Sequence, residues 1–389
     1  MYVGAFRRRN ADELSCVPAG VRILAAGLVL LAVAGCGSGS GGAAVPAPTN
    51  TSQPASAVSD ISPAASPTFQ PTPSGAWKLP IAISTGSETA QGGFVSLRDG
   101  TFSSDLSANL VNSTVGSPPL KGTWSRTNFA MYPSYDVQLG HWVPVSLQQL
   151  SPDGRQYAYV EWVMPTQIAQ GPTGPSGVKI HVVDVGAAAD RVVYTTNSLL
   201  LSVVAFEPDG IYVTNQCFEG CGGVGGMWLF DPSTGQLKTI LSLGDDHTDW
   251  RWVANGYAWG YGPWGPDTMA TTVFRLNLST GNVMKWFTPS PSVALVGLDG
   301  RGLPLLETQD PSSQGVELWD ATSSTNGSRI FASSTVVDFG PASSGPCGTW
   351  IGSSNGLYGL TSTNSLHQLP TTAGVPPNGL EVAGPCVSG

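Results

Sequence analysis

The sequence predicts an all-β chain, a β-propeller of six or seven four-stranded blades, on three observations. The first is a unit of turn, strand, strand and turn that returns between Leu150 and Asp320. Ser151-Pro152-Asp153-Gly154 leads into Tyr157-Ala158-Tyr159-Val160 and later Val182-Val183-Asp184-Val185; Glu207-Pro208-Asp209-Gly210 leads into Ile211-Tyr212-Val213 and Trp228-Leu229-Phe230-Asp231. Looser copies start at Asn255-Gly256 and Leu298-Asp299-Gly300. The second is spacing. Turn glycines at Gly100, Gly154, Gly210, Gly256, Gly300 and Gly356 are separated by 54, 56, 46, 44 and 56 residues. Strand ends at Asp184, Asp231, Asn277 and Asp320 keep step at 47, 46 and 43. A blade takes roughly 40 to 50 residues, so longer gaps mark loop insertions, and the stretch from Trp77 to Gly100 leaves a seventh blade open. The third is composition: 11% charged residues against 49 Gly, 31 Pro and 12 Trp, where a cytosolic enzyme carries about 25% charge. Strand formers broken by turn residues favour β structure throughout.

The net charge of -9 argues against a nucleic-acid partner, since no basic cluster follows Arg22 and phosphate contacts need Lys and Arg. Arg7, Arg8, Arg9 and Arg22 surround or precede an aliphatic run from Val21 to Ala34. That run is short for a membrane-spanning helix, and small residues follow it, as in a secretion signal. Its end, Val33-Ala34-Gly35-Cys36, resembles the bacterial lipobox. The resemblance implies a lipoprotein signal at 1–35, diacylation of Cys36 and a cell-membrane anchor facing the extracytoplasmic side. Residues 36–76 are Gly, Ala, Ser, Thr and Pro with almost no large apolar side chain. Burial in such a stretch cannot offset its ordering entropy, so it reads as a disordered tether. Residues 77–389 then form the propeller.

Within that part, Trp77-Lys78-Leu79-Pro80-Ile81-Ala82-Ile83 reads as a first edge strand, and Gly93 to Leu97 with Asp99-Gly100 as a hairpin. Tyr132-Pro133-Ser134-Tyr135 reads as a loop, after which Val143 to Leu147 feeds the Ser151 turn. Asp-Gly and Asn-Gly corners recur because tight hairpins need positive φ, which Gly accepts without Cβ strain. Ser151-Pro152-Asp153-Gly154-Arg155 and Glu207 to Val213 resemble the repeats of TolB-like and WD40-like propellers. Members of that group serve as protein-interaction platforms, glycan or peptide binders, and enzymes, so the resemblance implies a fold and leaves the activity open.

Cys217 and Cys221 bracket Phe218-Glu219-Gly220 in a Gly-rich loop; outside the cell, such a pair closes a loop by a disulfide more readily than it binds metal, with no His nearby. Cys347 and Cys386 are candidates for a second disulfide that stitches the last blade or its tail. The stretch from Gly244 to Trp252 is the most site-like. Asp245, Asp246 and His247 are candidate hydrogen-bonding groups, and Trp250 and Trp264 candidate stacking platforms, for a glycan or flexible peptide. The plainer reading has Trp252 and Trp259 packed between blades and the acids, Asp249 included, in water. The acids lack the D-x-D-x-D-G order of a calcium loop, and neither a metal nor a cofactor is expected. His141, His181, His247 and His367 are scattered, and no Gly-x-Ser-x-Gly elbow sits in an α/β context. The expected function is non-catalytic binding of a protein, peptide or glycan at the cell envelope. The alternatives are a glycan-processing enzyme with carboxylates across the channel and a structural or assembly lipoprotein.

Overall fold

A computed structural model of the chain describes residues 77–86, 89–122, 133–163, 175–215, 225–244, 248–264, 270–290, 292–309, 315–361, 364–369 and 380–389. Every regular element among them is a β-strand, apart from one 3-10 turn at Leu147–Gln149, and every pairing is antiparallel. The fold is all-β, assembled from antiparallel sheets of three to four strands in a propeller-like architecture.

The first sheet pairs Trp77–Gly86, Thr89–Ser96 and Phe102–Val111, with the short strands Thr114–Val115 and Leu120–Lys121 continuing beyond it. The second holds Gln156–Val163, Gly177–Asp184 and Ala189–Thr196, and Leu150 bridges to Tyr157 along the edge formed by Gln156–Val163. The third runs Leu201–Glu207, Gly210–Asn215, Met227–Asp231, Gln236–Leu241. Asp249–Ala254, Tyr257–Trp264, Ala270–Asn277 and Val283–Lys285 make the fourth; Val293–Leu298, Pro304–Gln309, Val316–Asp320 and Ser328–Ser333 make the fifth. Those two are joined by the pairing of Ala270 with Val293. The sixth is Phe339–Gly345, Gly348–Ser353, Gly356–Leu360 and Leu366–Leu369.

Six apolar clusters lie among the described residues, each shared by two sheets. Tyr157 and Val183 meet Leu110 and Trp142 between the first and second. Ala158, Ile180, Leu201 and Phe230 fill the next gap, and Tyr212, Met227, Trp250 and Leu276 the one after it. Trp259 and Val273 meet Leu295 and Leu306; Leu305 and Leu318 meet Ile351 and Tyr358. The sixth cluster joins Trp350 and Leu357 to Leu79, Ile81 and Val95 of the first sheet. Burial of apolar area on both faces of each sheet is the main favourable contribution to such a fold.

The repeated corners share one chemistry. The Asp231 carboxylate accepts from Ser233 N (2.8 Å) and Ser233 Oγ (2.6 Å), and Asn277 Oδ1 accepts from Ser279 N (3.0 Å) and Ser279 Oγ (2.7 Å). Gly235 and Gly281 then both take φ 72°. These donors pull the Asp231 carboxyl down to about 2. Asp320, next in the same series, has a different role: it is wholly buried and ion-paired to Arg301.

Two expectations are corrected. Trp77–Gly86 is an interior strand, flanked on one side by Thr89–Ser96 and on the other by Leu380–Val382 and Val387–Ser388 from the far end of the chain. Ser134 and Tyr135 are not loop. Ser134–Asp136 pairs with His141–Val143, Tyr135 N donates to Ala383 O (2.8 Å), and the Tyr135 ring packs on Phe94 and Trp142 at 5.0 and 5.2 Å. Tertiary aromatic packing makes a strand of a segment whose local composition reads as a turn.

Candidate functional site

The leading strands of the sheets stand next to one another. Leu201–Glu207 contacts Asp249–Ala254, which contacts Val293–Leu298; that strand contacts Phe339–Gly345, which contacts Leu380–Val382. The 3-10 turn Leu147–Gln149 touches both Leu201–Glu207 and Ser134–Asp136. Ser146 caps this turn, its N–H donating to Gln149 Oε1 at 2.9 Å.

Where these elements meet lies a cavity of about 100 Å³, lined among others by Ser146, Gln148, Trp252, Ser343 and Glu381. The Gln148 amide is assigned from its surroundings, with its oxygen facing Trp252 Nε1 (2.5 Å) as acceptor and its nitrogen facing Val204 O (3.2 Å) as donor. This ties the turn to the third and fourth sheets. Glu381, in the middle of Leu380–Val382, is 7% exposed, and burial pushes its carboxyl up to about 7. A carboxyl in that range can hold or give up a proton near neutrality. Glycoside hydrolysis, however, needs two carboxyl groups flanking one bond. Among the described residues lining this cavity, Glu381 is the sole carboxylate.

The predicted site residues are placed as follows. Asp245, Asp246, His247, Cys217, Cys221 and Cys36 lie outside the described residues. Trp264 ends the strand Tyr257–Trp264, opposite Ala270. Trp250 is 1% exposed and belongs to the cluster between the third and fourth sheets, so it offers no ring face to solvent. A register shift between Trp250 and Trp252 separates their environments, and Trp252 lines this cavity. Asp249 is largely buried beside Arg251, whose guanidinium donates to it and lies 5.6 Å from the Tyr261 ring centre. Burial raises the Asp249 carboxyl, with Arg251 acting against the shift. Trp259 packs edge-on against Trp286 at 5.0 Å. Sequence reasoning missed Glu381 and Gln148, which carry no motif; they acquire meaning through the chain end that returns to the first sheet.

Cys347 and Cys386 are joined by a disulfide that ties the sixth sheet to the C-terminal tail. Among the described residues no three His, Cys, Asp or Glu side chains are grouped to hold a metal ion.

No family model matches the sequence, and no curated protein matches it. Solved structures align with part of this chain. TolB from Acinetobacter baumannii aligns at 16% identity over 74% of this chain, with TM-score 0.41, and this chain spans 62% of that one. An oligogalacturonate lyase in complex with manganese aligns at 12% identity, covering 72% of this chain and 73% of its own, with TM-score 0.42. Dipeptidyl peptidase 4 of Porphyromonas gingivalis aligns at 11% identity over 75% of this chain and 50% of its own, with TM-score 0.39. The fold is one compatible with either ligand binding or catalysis, and no clear catalytic or metal site is resolved among the described residues.

Proposed function

We propose that this chain is a lipid-anchored, extracytoplasmic binding protein whose folded part is a closed six-bladed β-propeller. Six sheets, six shared apolar clusters and the return of Leu380–Val382 to Trp77–Gly86 support the ring and its blade number. The lipobox-like Val33-Ala34-Gly35-Cys36 and the tether at 36–76 support attachment to the membrane through Cys36. The observation that carries the binding reading is the central cavity. At about 100 Å³ it is small against the roughly 300 to 1,000 Å³ of a substrate pocket, and among the described residues that line it one carboxylate stands where hydrolysis needs two. The surfaces and flanks of the blades are then left to meet a protein, peptide or glycan of the envelope.

Two experiments test the reading with the full chain. Cys36→Ala should move the protein from the membrane fraction to the soluble fraction and abolish incorporation of labelled palmitate; unchanged fractionation would remove the anchor. Detergent-solubilised protein incubated with envelope glycans and peptides should return them bound and chemically intact by mass spectrometry. Shortened products whose formation is lost in Glu381→Gln would make the protein an enzyme.

A further inference from the structure

A second, larger concavity lies on the flank of the second sheet. It is an open groove of about 430 Å³, lined on one side by Tyr159, Glu161, His181 and Asp190, and on the other by the segment 112–114 with Lys121 and Gly122. The four side chains of the first wall come from three adjacent strands. Tyr159 and His181 are register partners, and their rings stack at 4.5 Å with 17° between planes. His181 is only 7% exposed, yet each ring nitrogen meets a carboxylate: Nδ1 to Asp190 Oδ1 at 2.9 Å, Nε2 to Glu161 Oε2 at 3.0 Å. Tyr159 Oη donates to Asp190 Oδ2 (2.7 Å), and Lys179 Nζ donates to Glu161 Oε1 (3.2 Å). The carboxylates themselves remain in contact with solvent, Glu161 about half exposed. A buried ring and a phenol thus fix two accessible carboxylates in place, as preorganised recognition requires.

The facing wall is also locally constrained. Val111 pairs with Thr114 across a two-residue turn in which Asn112 (φ 50°) and Ser113 (φ 62°) are both left-handed. Ser113 is an unusual occupant of that region, because a side chain there is disfavoured. Ser113 O accepts from Gly122 N at 2.7 Å, which holds the turn against the segment carrying Lys121.

The chemistry of the two walls selects a ligand. Each carboxylate oxygen already lies within hydrogen-bond distance of one side-chain nitrogen or hydroxyl and retains further acceptor capacity, while Lys121 and the Asn112 amide are donors on the other side. Both signs are present: Glu161 and Asp190 stand on one wall with Lys179 paired to Glu161, and Lys121 stands on the other. A cationic peptide would compete with Lys179 for Glu161, and an anionic one would face two carboxylates. Hydroxyl pairs on a neutral ring donate to one wall and accept from the other at once. The volume suits one or two sugar rings. We infer that this groove is a binding site for a neutral sugar chain, held through vicinal hydroxyls by Glu161 and Asp190 on one wall and Lys121 and Asn112 on the other. The inference rests on the binding reading above and adds its place and its ligand class.

The test uses full chain in detergent micelles. The probes are tetramers of α-1,4-linked glucose, β-1,4-linked glucose and β-1,4-linked N-acetylglucosamine, with tetralysine and tetraglutamate as charged comparisons. Saturation-transfer NMR detects binding and calorimetry gives Kd. At least one sugar tetramer should bind, and Asp190→Asn, Glu161→Gln and Tyr159→Phe should each weaken it roughly tenfold or more, since each alters a bond to a charged group. The exposed Lys238→Ala should leave it unchanged, and circular dichroism should show every variant folded. Sugar binding indifferent to all three groove variants overturns the site. Tetralysine binding without sugar binding, or binding of no probe, overturns the ligand class. Sugar bound at the groove but recovered shortened supports the site and overturns the non-catalytic function instead.

Discussion

Breaking the Cys347–Cys386 disulfide should release the chain end from the first sheet before it disturbs the rest of the fold. The two cysteines are 39 residues apart in sequence. In the chain-entropy account, a cross-link closing a loop of that length destabilises the unfolded chain by about 4 kcal/mol at room temperature. Both cysteines are buried in the cluster that joins the sixth sheet to the first, at 9% and 3% exposure. Cys347→Ala with Cys386→Ala therefore adds the loss of two packed sulfurs to the loss of the link, on the order of 1 kcal/mol each. Comparing oxidised, reduced and doubly substituted protein by urea unfolding separates the two contributions, and the reduced chain isolates the link.

Location is the sharper half of this prediction. Cys386 immediately precedes Val387–Ser388, which pairs with Trp77 and Lys78, and follows Leu380–Val382, which pairs with Ile81 to Ile83. Hydrogen exchange should accelerate first at those amides, because opening there exposes one sheet edge and one apolar cluster. Amides of the third and fourth sheets, on clusters that share no residue with the disulfide, should keep their protection. Oxidised and reduced proteins within about 1 kcal/mol of each other would refute the magnitude. Uniform acceleration across all sheets would refute the local role of the tail.

Two further outcomes follow from buried charge. Glu381 titrates near 7 in the folded chain against 4.5 when free, so the folded state holds its proton more tightly. That stabilisation is complete below pH 4.5 and is lost as pH rises through 7, amounting to about 3 kcal/mol. Glu381→Gln should remove this component of the slope in urea midpoints measured between pH 4.5 and 7.5; parallel slopes in the two proteins would sink the idea. Arg301 donates Nε to Asp299 Oδ2 at 2.6 Å and Nη2 to Asp320 Oδ2, and Asp320 is fully buried. Arg301→Met leaves Asp320 with Asn364 Nδ2 at 2.9 Å as its remaining described partner. Removing one member of a buried pair costs roughly 3 to 5 kcal/mol. Burial already raises the Asp320 carboxyl, so the loss should be largest at neutral pH and shrink as acid protonates it. A loss under about 1 kcal/mol at neutral pH would refute this account.

The blades were legible because their corners repeat a chemistry that acts locally. Asp231-Pro232-Ser233-Thr234-Gly235 and Asn277-Leu278-Ser279-Thr280-Gly281 fold the same way since each side-chain oxygen is satisfied within three residues and each closing Gly takes the same φ. Asn255-Gly256 is a different corner, both residues left-handed at φ 53° and 78° and the Asn255 amide donating to the distant Arg301 O at 3.0 Å. The Ser134–Asp136 strand was illegible for the converse reason: its partners, Ala383 for the backbone and Phe94 and Trp142 for the Tyr135 ring, lie elsewhere in the chain. The Leu380–Val382 strand is three residues long and acquires its identity from pairing with residues near 80, some 300 positions away.

The same distinction governs the sites. A cluster of acids and tryptophans close in sequence drew the eye to 244–264, yet a one-residue irregularity in the pairing sends Trp250 to the core and Trp252 to the cavity. Composition cannot reveal such a bulge, because both residues belong equally well on a half-buried strand. The flank groove inverts the case. Tyr159, Glu161, His181 and Asp190 span 31 residues and look unrelated in sequence. Register alone brings them together: Tyr159 stands opposite His181, Glu161 sits two residues further on the same face, and the next strand returns Asp190 to the imidazole. A polar residue on a central strand is costly to bury unless its partners are fixed with it. His181 is buried with both nitrogens engaged by carboxylates that reach solvent, so the strongest local constraint on that sheet face is the one that orients its exposed acceptors.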